Sequence, residues 1–180
     1  WFSSSKSTKY FFLILSPFVH ASFFIVVSIY LITETLKKMR FAFDIKLIVY
    51  LLIGLIVSFG LGFIASLLGM RQSNEYQFIA ASSSGLGFLF WLIILFLYLL
   101  NGKEFLRKNS FILGMIVFYL VTYFFVEVTA RIFESVIILV LLASLELEKK
   151  SKIIVVGLFV IFIIYQFLSK IDMPYFGYGI

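Results

Sequence analysis

The sequence predicts an all-α, polytopic integral membrane protein that forms a single helical domain over residues 1–180. The chain is 63% hydrophobic and only 13% charged, whereas ordinary soluble domains are about half apolar and about a quarter charged. Too little polar surface remains to cover a water-soluble globule. Apolar runs close to the length of about 20 residues that crosses a bilayer recur along nearly the whole chain, which excludes a soluble domain with one anchor.

The apolar runs predict six transmembrane helices: 10–33, 45–69, 85–100, 111–128, 132–146 and 153–169. Helices are expected because a lone chain in lipid must satisfy its backbone hydrogen bonds within each segment, and the runs lack the alternation of barrel strands. Only Thr129, Ala130 and Arg131 separate the fourth run from the fifth, which is short. The two runs form either a tight hairpin or a broken, re-entrant helix. The hairpin is favoured because charge then alternates correctly from loop to loop.

The basic residues predict which way the helices face. Ten of them lie in or beside the loops 34–44, 101–109 and 147–152, and five lie on the opposite side. The positive-inside rule places the richer set in the cytoplasm and both ends of the chain outside it. The basic residues form short clusters between apolar runs rather than one binding face, so no nucleic-acid partner is expected.

The sequence contains no motif for a metal or a cofactor. It has no Cys, which excludes thiol catalysis, Cys-ligated metals and disulfides. It also lacks a Gly-rich phosphate loop, a metal-ligand cluster and a redox motif. The first apolar run is too long for a signal peptide. Because the chain starts at Trp1 rather than Met, it is expected to be part of a longer protein.

His20 is the first candidate functional residue. It lies about ten residues into the first run, and an ionisable group inside a span is costly enough to suggest a function. Pro17 removes a backbone donor nearby and can open the helix. A neutral imidazole accepts a proton near pH 7 or donates a hydrogen bond. His20 is therefore either a catalytic group or a structural hydrogen-bonding partner of a neighbouring helix.

Glu127, Arg131 and Glu134 form the second candidate group. Their spacings of four and three residues place them on one face of a continuous helix. At the outer end of an apolar hairpin they favour a functional role, because an idle buried ion pair is hard to justify against its desolvation. Arg71, Lys170 and Tyr175 lie in segments predicted to face outward and are weaker candidates for substrate binding.

Small residues recur at every fourth position of the second run, at Gly54, Ser58, Gly62 and Ser66. Such spacing places them on one face of a helix. A stripe of small side chains lets another helix approach closely. Helix packing is the favoured interpretation of this pattern.

Two stretches resemble elements of a known family. The stretch 11–31, with Pro17, His20 and Ser22 near its middle, resembles the His-containing helix of Wzy-type polysaccharide polymerases, the EpsG-like family. The stretch 130–134, Ala-Arg-Ile-Phe-Glu, resembles a later element of that family, in which an Arg is followed by an acidic or aromatic residue. The resemblance covers essentially the whole chain and corresponds to the C-terminal half of a family member.

The resemblance implies a GT-C-like enzyme of the bacterial inner membrane, a glycosyltransferase that joins undecaprenyl-diphosphate-linked oligosaccharide repeats into a surface polysaccharide such as O-antigen. The implied partners are the lipid-linked glycan, membrane lipid and other polysaccharide-export proteins. Arg131 would hold the diphosphate or an acceptor sugar, and Glu127 would orient Arg131. His20 or Glu134 would act as the base.

Two other functions are compatible with the composition. A non-catalytic subunit of a respiratory or transport complex would bury its small-residue stripe against other chains and would have no polar cavity of its own. A transporter or flippase would distribute buried charge across the depth of the membrane. The inner half of the predicted spans holds almost none, which argues against a continuous translocation path.

Overall fold

The structure is a computed structural model that describes residues 6–19, 23–39, 42–67, 85–125 and 129–170. Within these ranges the chain forms helices and turns and no strand, so it is all-α, as predicted. The helices are α1 (Lys6–Val19), α2 (Phe23–Lys38), α3 (Phe43–Leu67), α4 (Leu86–Leu99), α5 (Gly102–Lys108), α6 (Ser110–Thr122), α7 (Thr129–Glu134), α8 (Ile137–Ser144) and α9 (Lys149–Lys170).

The first predicted run, 10–33, is two helices rather than one. Phe12 of α1 and Tyr30 of α2 line the same cavity, although one straight helix would separate them by about 27 Å. α1 and α2 are therefore not parts of one straight helix. Proline lacks an N–H, so Pro17 leaves the carbonyl of Leu13 without its usual helical donor. The Ser16 hydroxyl donates to that carbonyl instead, over 3.1 Å.

α6 lies at the centre of the described bundle, and nearly all of its side chains are buried. It packs closely against α3 at two glycines. A Cβ on Gly54 would lie 2.9 Å from the side chain of Val121, and one on Gly114 would lie 2.9 Å from the ring of Tyr50. The later residue of α3 meets the later residue of α6, so the two helices run in the same direction. The close helix approach expected from the small-residue stripe is found at Gly54.

The chain reverses direction after α6. The ring centroids of Tyr119 and Phe133 lie 4.6 Å apart, and Asn109 Nδ2 lies 3.5 Å from Glu146 Oε2. Residues near the start of α6 thus meet residues that follow α8, and α6 runs antiparallel to α7 and α8. The described segments before residue 126 and after residue 128 thus run in opposite directions, which is compatible with both the hairpin and the re-entrant alternative.

The helix limits near this reversal differ from the expected ones. Thr129, Ala130 and Arg131, expected in the turn, form the first half of α7. Burial of Ile132 and Phe133 favours helix here, because one turn of helix carries both apolar side chains into the core. The fifth predicted run, 132–146, is divided by a turn at residues 135–136 that separates α7 from α8.

The predicted loop 101–109 contains the short helix α5. Gly102 has a φ of +83°, a left-handed conformation that glycine adopts without steric cost, and α5 leaves α4 at an angle of 117°. In the described ranges, no single helix is both long and apolar enough to cross a bilayer. α4 and α5 reach that length and composition only together, as this bent pair.

Candidate functional site

The structure describes only part of the predicted site. Glu134 has a described side chain and is exposed at the end of α7. Arg131 and Lys170 lie in α7 and α9, but their side chains are outside the description. The other predicted site residues lie outside the described ranges: His20, Arg71, Glu127 and Tyr175. The roles implied for His20 and Arg131 therefore stay predictions.

α7 provides the backbone that carries Arg131 and Glu134. Residues three apart in a helix lie on one face, so α7 places these two positions on adjacent turns of the same side. The helix is anchored by Phe133, whose ring centroid lies 4.6 Å from those of Trp91 and Tyr119. A fully buried aromatic side chain is thus followed directly by an exposed carboxylate. The buried Phe133 side chain fixes the backbone next to Glu134, while the Glu134 carboxylate remains accessible.

A cavity of about 240 Å³ lies between α1 and α2 on one side and the chain from Ser135 to Leu139 on the other. Ser135 follows Glu134 directly. Ser16 and Phe23, on the opposite wall, precede and follow the sequence segment that holds His20. The cavity is therefore bordered by the two stretches of chain that carry the predicted catalytic residues.

The cavity wall is mainly apolar, with the side chains of Ser16, Tyr30 and Ser135 as its polar members. Ligand pockets commonly have this character, because apolar walls supply affinity and a few polar groups fix orientation. An apolar chain with a polar head near Ser135 is compatible with such a wall. Across the described ranges, no three His, Asp or Glu side chains are grouped to hold a metal ion.

Two buried hydroxyl contacts connect helices and were not singled out by the sequence analysis. Thr33 Oγ1 lies 2.9 Å from Tyr50 Oη and joins α2 to α3. Tyr98 Oη donates to the carbonyl of Val140 over 2.6 Å and lies 2.8 Å from Ser144 Oγ, so it joins α4 to α8. A hydroxyl side chain deep in an apolar run needs a hydrogen-bond partner. The positions of these hydroxyl groups in the sequence could therefore have indicated such contacts.

The three loops predicted to share one side of the membrane lie at one end of the bundle. Lys108 Nζ lies 2.7 Å from Glu146 Oε1, and the backbone N–H of Glu148 donates to Asn101 Oδ1 over 2.9 Å. Lys37, from the first of these loops, lines a depression of about 170 Å³ together with Lys108 and Asn109. The segments whose charges were grouped from the sequence are thus grouped in space.

The Lys108–Glu146 pair changes the acidity of its carboxyl group. The hydrogen bond from Lys108 lowers the pKa of Glu146 below its ordinary value, against an opposing effect of burial. The Asn109 side chain lowers the pKa further. Hydrogen bonds to the ionised form favour that form, so Glu146 is a stable anion at neutral pH.

Comparisons with models of protein families, with curated proteins and with solved structures find no match for this chain.

Proposed function

We propose that this chain is part of a membrane glycosyltransferase that polymerises oligosaccharide repeats carried on a prenyl diphosphate, at the outer face of the bacterial plasma membrane. One observation carries the proposal. The apolar cavity is bordered both by the residue after Glu134 and by the residues on either side of the His20 segment. Such a cavity suits a hydrocarbon-linked substrate whose polar head lies close to Arg131 and Glu134.

The outer surfaces of the helices support placement in a membrane. Large apolar side chains are exposed on α1, α3 and α8, and the exposed fraction is 83% at Val19 and 70% at both Ile56 and Ile138. α4 and α9 also carry apolar residues along their exposed faces. Extensive exposed apolar surface is unusual for soluble monomers. Lipid is the environment in which these faces are favourable.

The proposed reaction transfers the growing glycan from its carrier to a hydroxyl of an incoming lipid-linked repeat. The hydroxyl oxygen bonds to the anomeric carbon, the bond from that carbon to the diphosphate breaks, and the carrier diphosphate leaves with the electron pair. His20 or Glu134 accepts the hydroxyl proton, since a positioned imidazole or carboxylate serves as a general base. Arg131 binds the diphosphate, for which a bidentate guanidinium is well suited.

Replacement of Arg131 tests this proposal in cells. Arg131→Ala should abolish long glycan while single repeats still accumulate on their carrier, and Arg131→Lys should restore polymerisation only partly because it lacks the bidentate fork. Glycan length on gels and lipid-linked repeats by mass spectrometry are the measurements. Glu148→Gln, at an exposed carboxylate of the opposite end, is the control. Normal long glycan in Arg131→Ala at normal protein levels would contradict the proposal.

A further inference from the structure

A second chemical feature is a group of basic residues at the end of the bundle opposite α7. It comprises the exposed Lys103 and Arg107 of α5 and Lys149 and Lys150 of α9, together with the half-buried Lys152 of α9, and is called the basic surface. Within the described part of the chain, none of these five forms an ion pair, whereas Lys37 and Lys108 pair with Glu34 and Glu146. The exposed carboxylates of Glu104 and Glu148 lie in the same two segments, so the five cations leave a net charge of +3 (five minus two) there.

The two halves of the basic surface are held next to each other. The N–H of Glu148, the residue before α9, donates to the side chain of Asn101, the residue before α5. The Lys108–Glu146 pair makes a second connection between the same two segments. The starts of α5 and α9 therefore lie close together, and the cations of both helices are at the same end of the bundle.

α5 turns away from α4 and exposes both of its cations that belong to the basic surface. It leaves α4 at 117°, so it runs roughly across the direction of α4. Phe105 and Leu106 are buried beneath it, while Lys103, Glu104 and Arg107 are exposed. α5 therefore packs its apolar side on the rest of the bundle and exposes its charged side.

The boundary between apolar and basic exposed surface falls at the same level on two separate helices. On α4, the exposed Phe96 and Leu100 end where α5 begins. On α9, Lys152 is followed at once by the exposed Ile153 and Ile154. Because Asn101 and Glu148 are hydrogen bonded, the two boundaries coincide. Apolar side chains suit the hydrocarbon layer, and cations beside them suit anionic headgroups.

We infer that the basic surface binds the phosphate headgroups of anionic phospholipids in the cytoplasmic leaflet. The inference rests on the membrane placement proposed above and goes beyond the proposed reaction, since none of the five residues belongs to the catalytic group. Charge complementarity carries it: a positive surface bordered by apolar side chains meets a leaflet of negative phosphates. The bound lipid would anchor α5 and fix the depth of the bundle.

Reconstitution of the whole chain into phosphatidylcholine vesicles that contain a minor fraction of phosphatidylglycerol tests the inference. The measurement is the ratio of the two lipids that copurify after gentle detergent washing. The triple variant Lys103→Gln, Arg107→Gln, Lys150→Gln should lose phosphatidylglycerol enrichment by at least about fivefold, the change associated with one basic side chain near an anionic surface. The charge-conserving triple variant Lys103→Arg, Arg107→Lys, Lys150→Arg should keep it.

The outcomes separate the two proposals. Thermal unfolding of each variant establishes that it is folded, and resistance to alkaline extraction reports insertion into the vesicles. Insertion with equal phosphatidylglycerol enrichment in the native chain and the neutral variant overturns the inference and leaves the membrane placement intact. Failure of the native chain to insert overturns both. Equal loss in the neutral and charge-conserving variants overturns the electrostatic basis of binding.

Discussion

The ring of Tyr50 lies against Gly114, so that a Cβ on residue 114 would come within 2.9 Å of Tyr50 Cε1. The ring has little freedom to move, since it is buried and its hydroxyl contacts Thr33. Overpacking a close contact of this kind costs about 1–3 kcal/mol. Gly114→Ala should lower the free energy of unfolding by that amount, measured by thermal or denaturant unfolding in detergent micelles.

Gly157 offers the matched control for this substitution. A Cβ there meets nothing within 4 Å, and alanine in a helix is favoured over glycine by about 1 kcal/mol. Gly157→Ala should therefore be neutral or stabilising. If Gly114→Ala unfolded at the same temperature as Gly157→Ala, the close packing of α3 on α6 would be contradicted.

Tyr98→Phe should destabilise the contact between α4 and α8. The substitution removes the hydroxyl that bonds to Val140 and Ser144, while the ring that packs edge-on to Phe105 remains. A net loss of about 0.5–1.5 kcal/mol is expected for such a hydrogen bond. Tyr165→Phe, at a side chain that is 51% exposed, serves as the control. Equal unfolding midpoints for the two variants would show that the hydroxyl contributes nothing.

The Lys108–Glu146 pair should make stability depend on pH in the acidic range. The folded-state pKa of Glu146 is lowered, so its contribution is present above its ordinary pKa of 4.5 and is lost as pH falls through the lowered value. The pair is partly exposed, which limits the contribution to about 0.2–1 kcal/mol.

This pH dependence is measured by following the unfolding midpoint of the native chain and of Glu146→Gln from neutral pH into the acidic range. The difference between them should shrink as Glu146 becomes protonated. Glu148→Gln removes a nearby exposed carboxylate and should leave the native pH dependence largely in place. A constant difference between Glu146→Gln and the native chain at every pH would count against the ion pair.

Ser135→Leu should obstruct the cavity beside Glu134. The leucine side chain adds volume to the wall of a space of only about 240 Å³, so glycan length should fall sharply while the protein remains folded. Ser28→Leu, at an exposed position of α2 outside the cavity wall, provides the same chemical change elsewhere. Unchanged glycan length in folded Ser135→Leu would separate the cavity from the reaction.

The helices could largely be predicted from the long apolar runs. In lipid, such runs have few other ways to satisfy their backbone hydrogen bonds. α3, α4 and α9 begin and end close to the predicted limits. The division of the first run into α1 and α2 and the 117° angle after α4 were not predicted. The angle after α4 depends on the left-handed conformation of Gly102, whose effect is decided by how the flanking helices pack.

The candidate site was predicted only as a set of residue types. Helical spacing related Arg131 to Glu134, and α7 carries both. The cavity could not be predicted, because it is formed by α1, α2 and the chain after α7, segments separated by more than a hundred residues in the sequence. The buried hydroxyl contacts of Tyr50 and Tyr98 were not predicted for the same reason, since their partners lie on other helices.

The sequence by itself determined the helical class, the apolar character of the helix faces and the grouping of basic loops, because these follow from hydrophobicity and charge along the chain. The tertiary structure alone decided which helices approach at Gly54 and Gly114 and which segments enclose the cavity. Those features depend on the fit of side chains from distant positions. The preference of a local sequence for helix does not specify that fit.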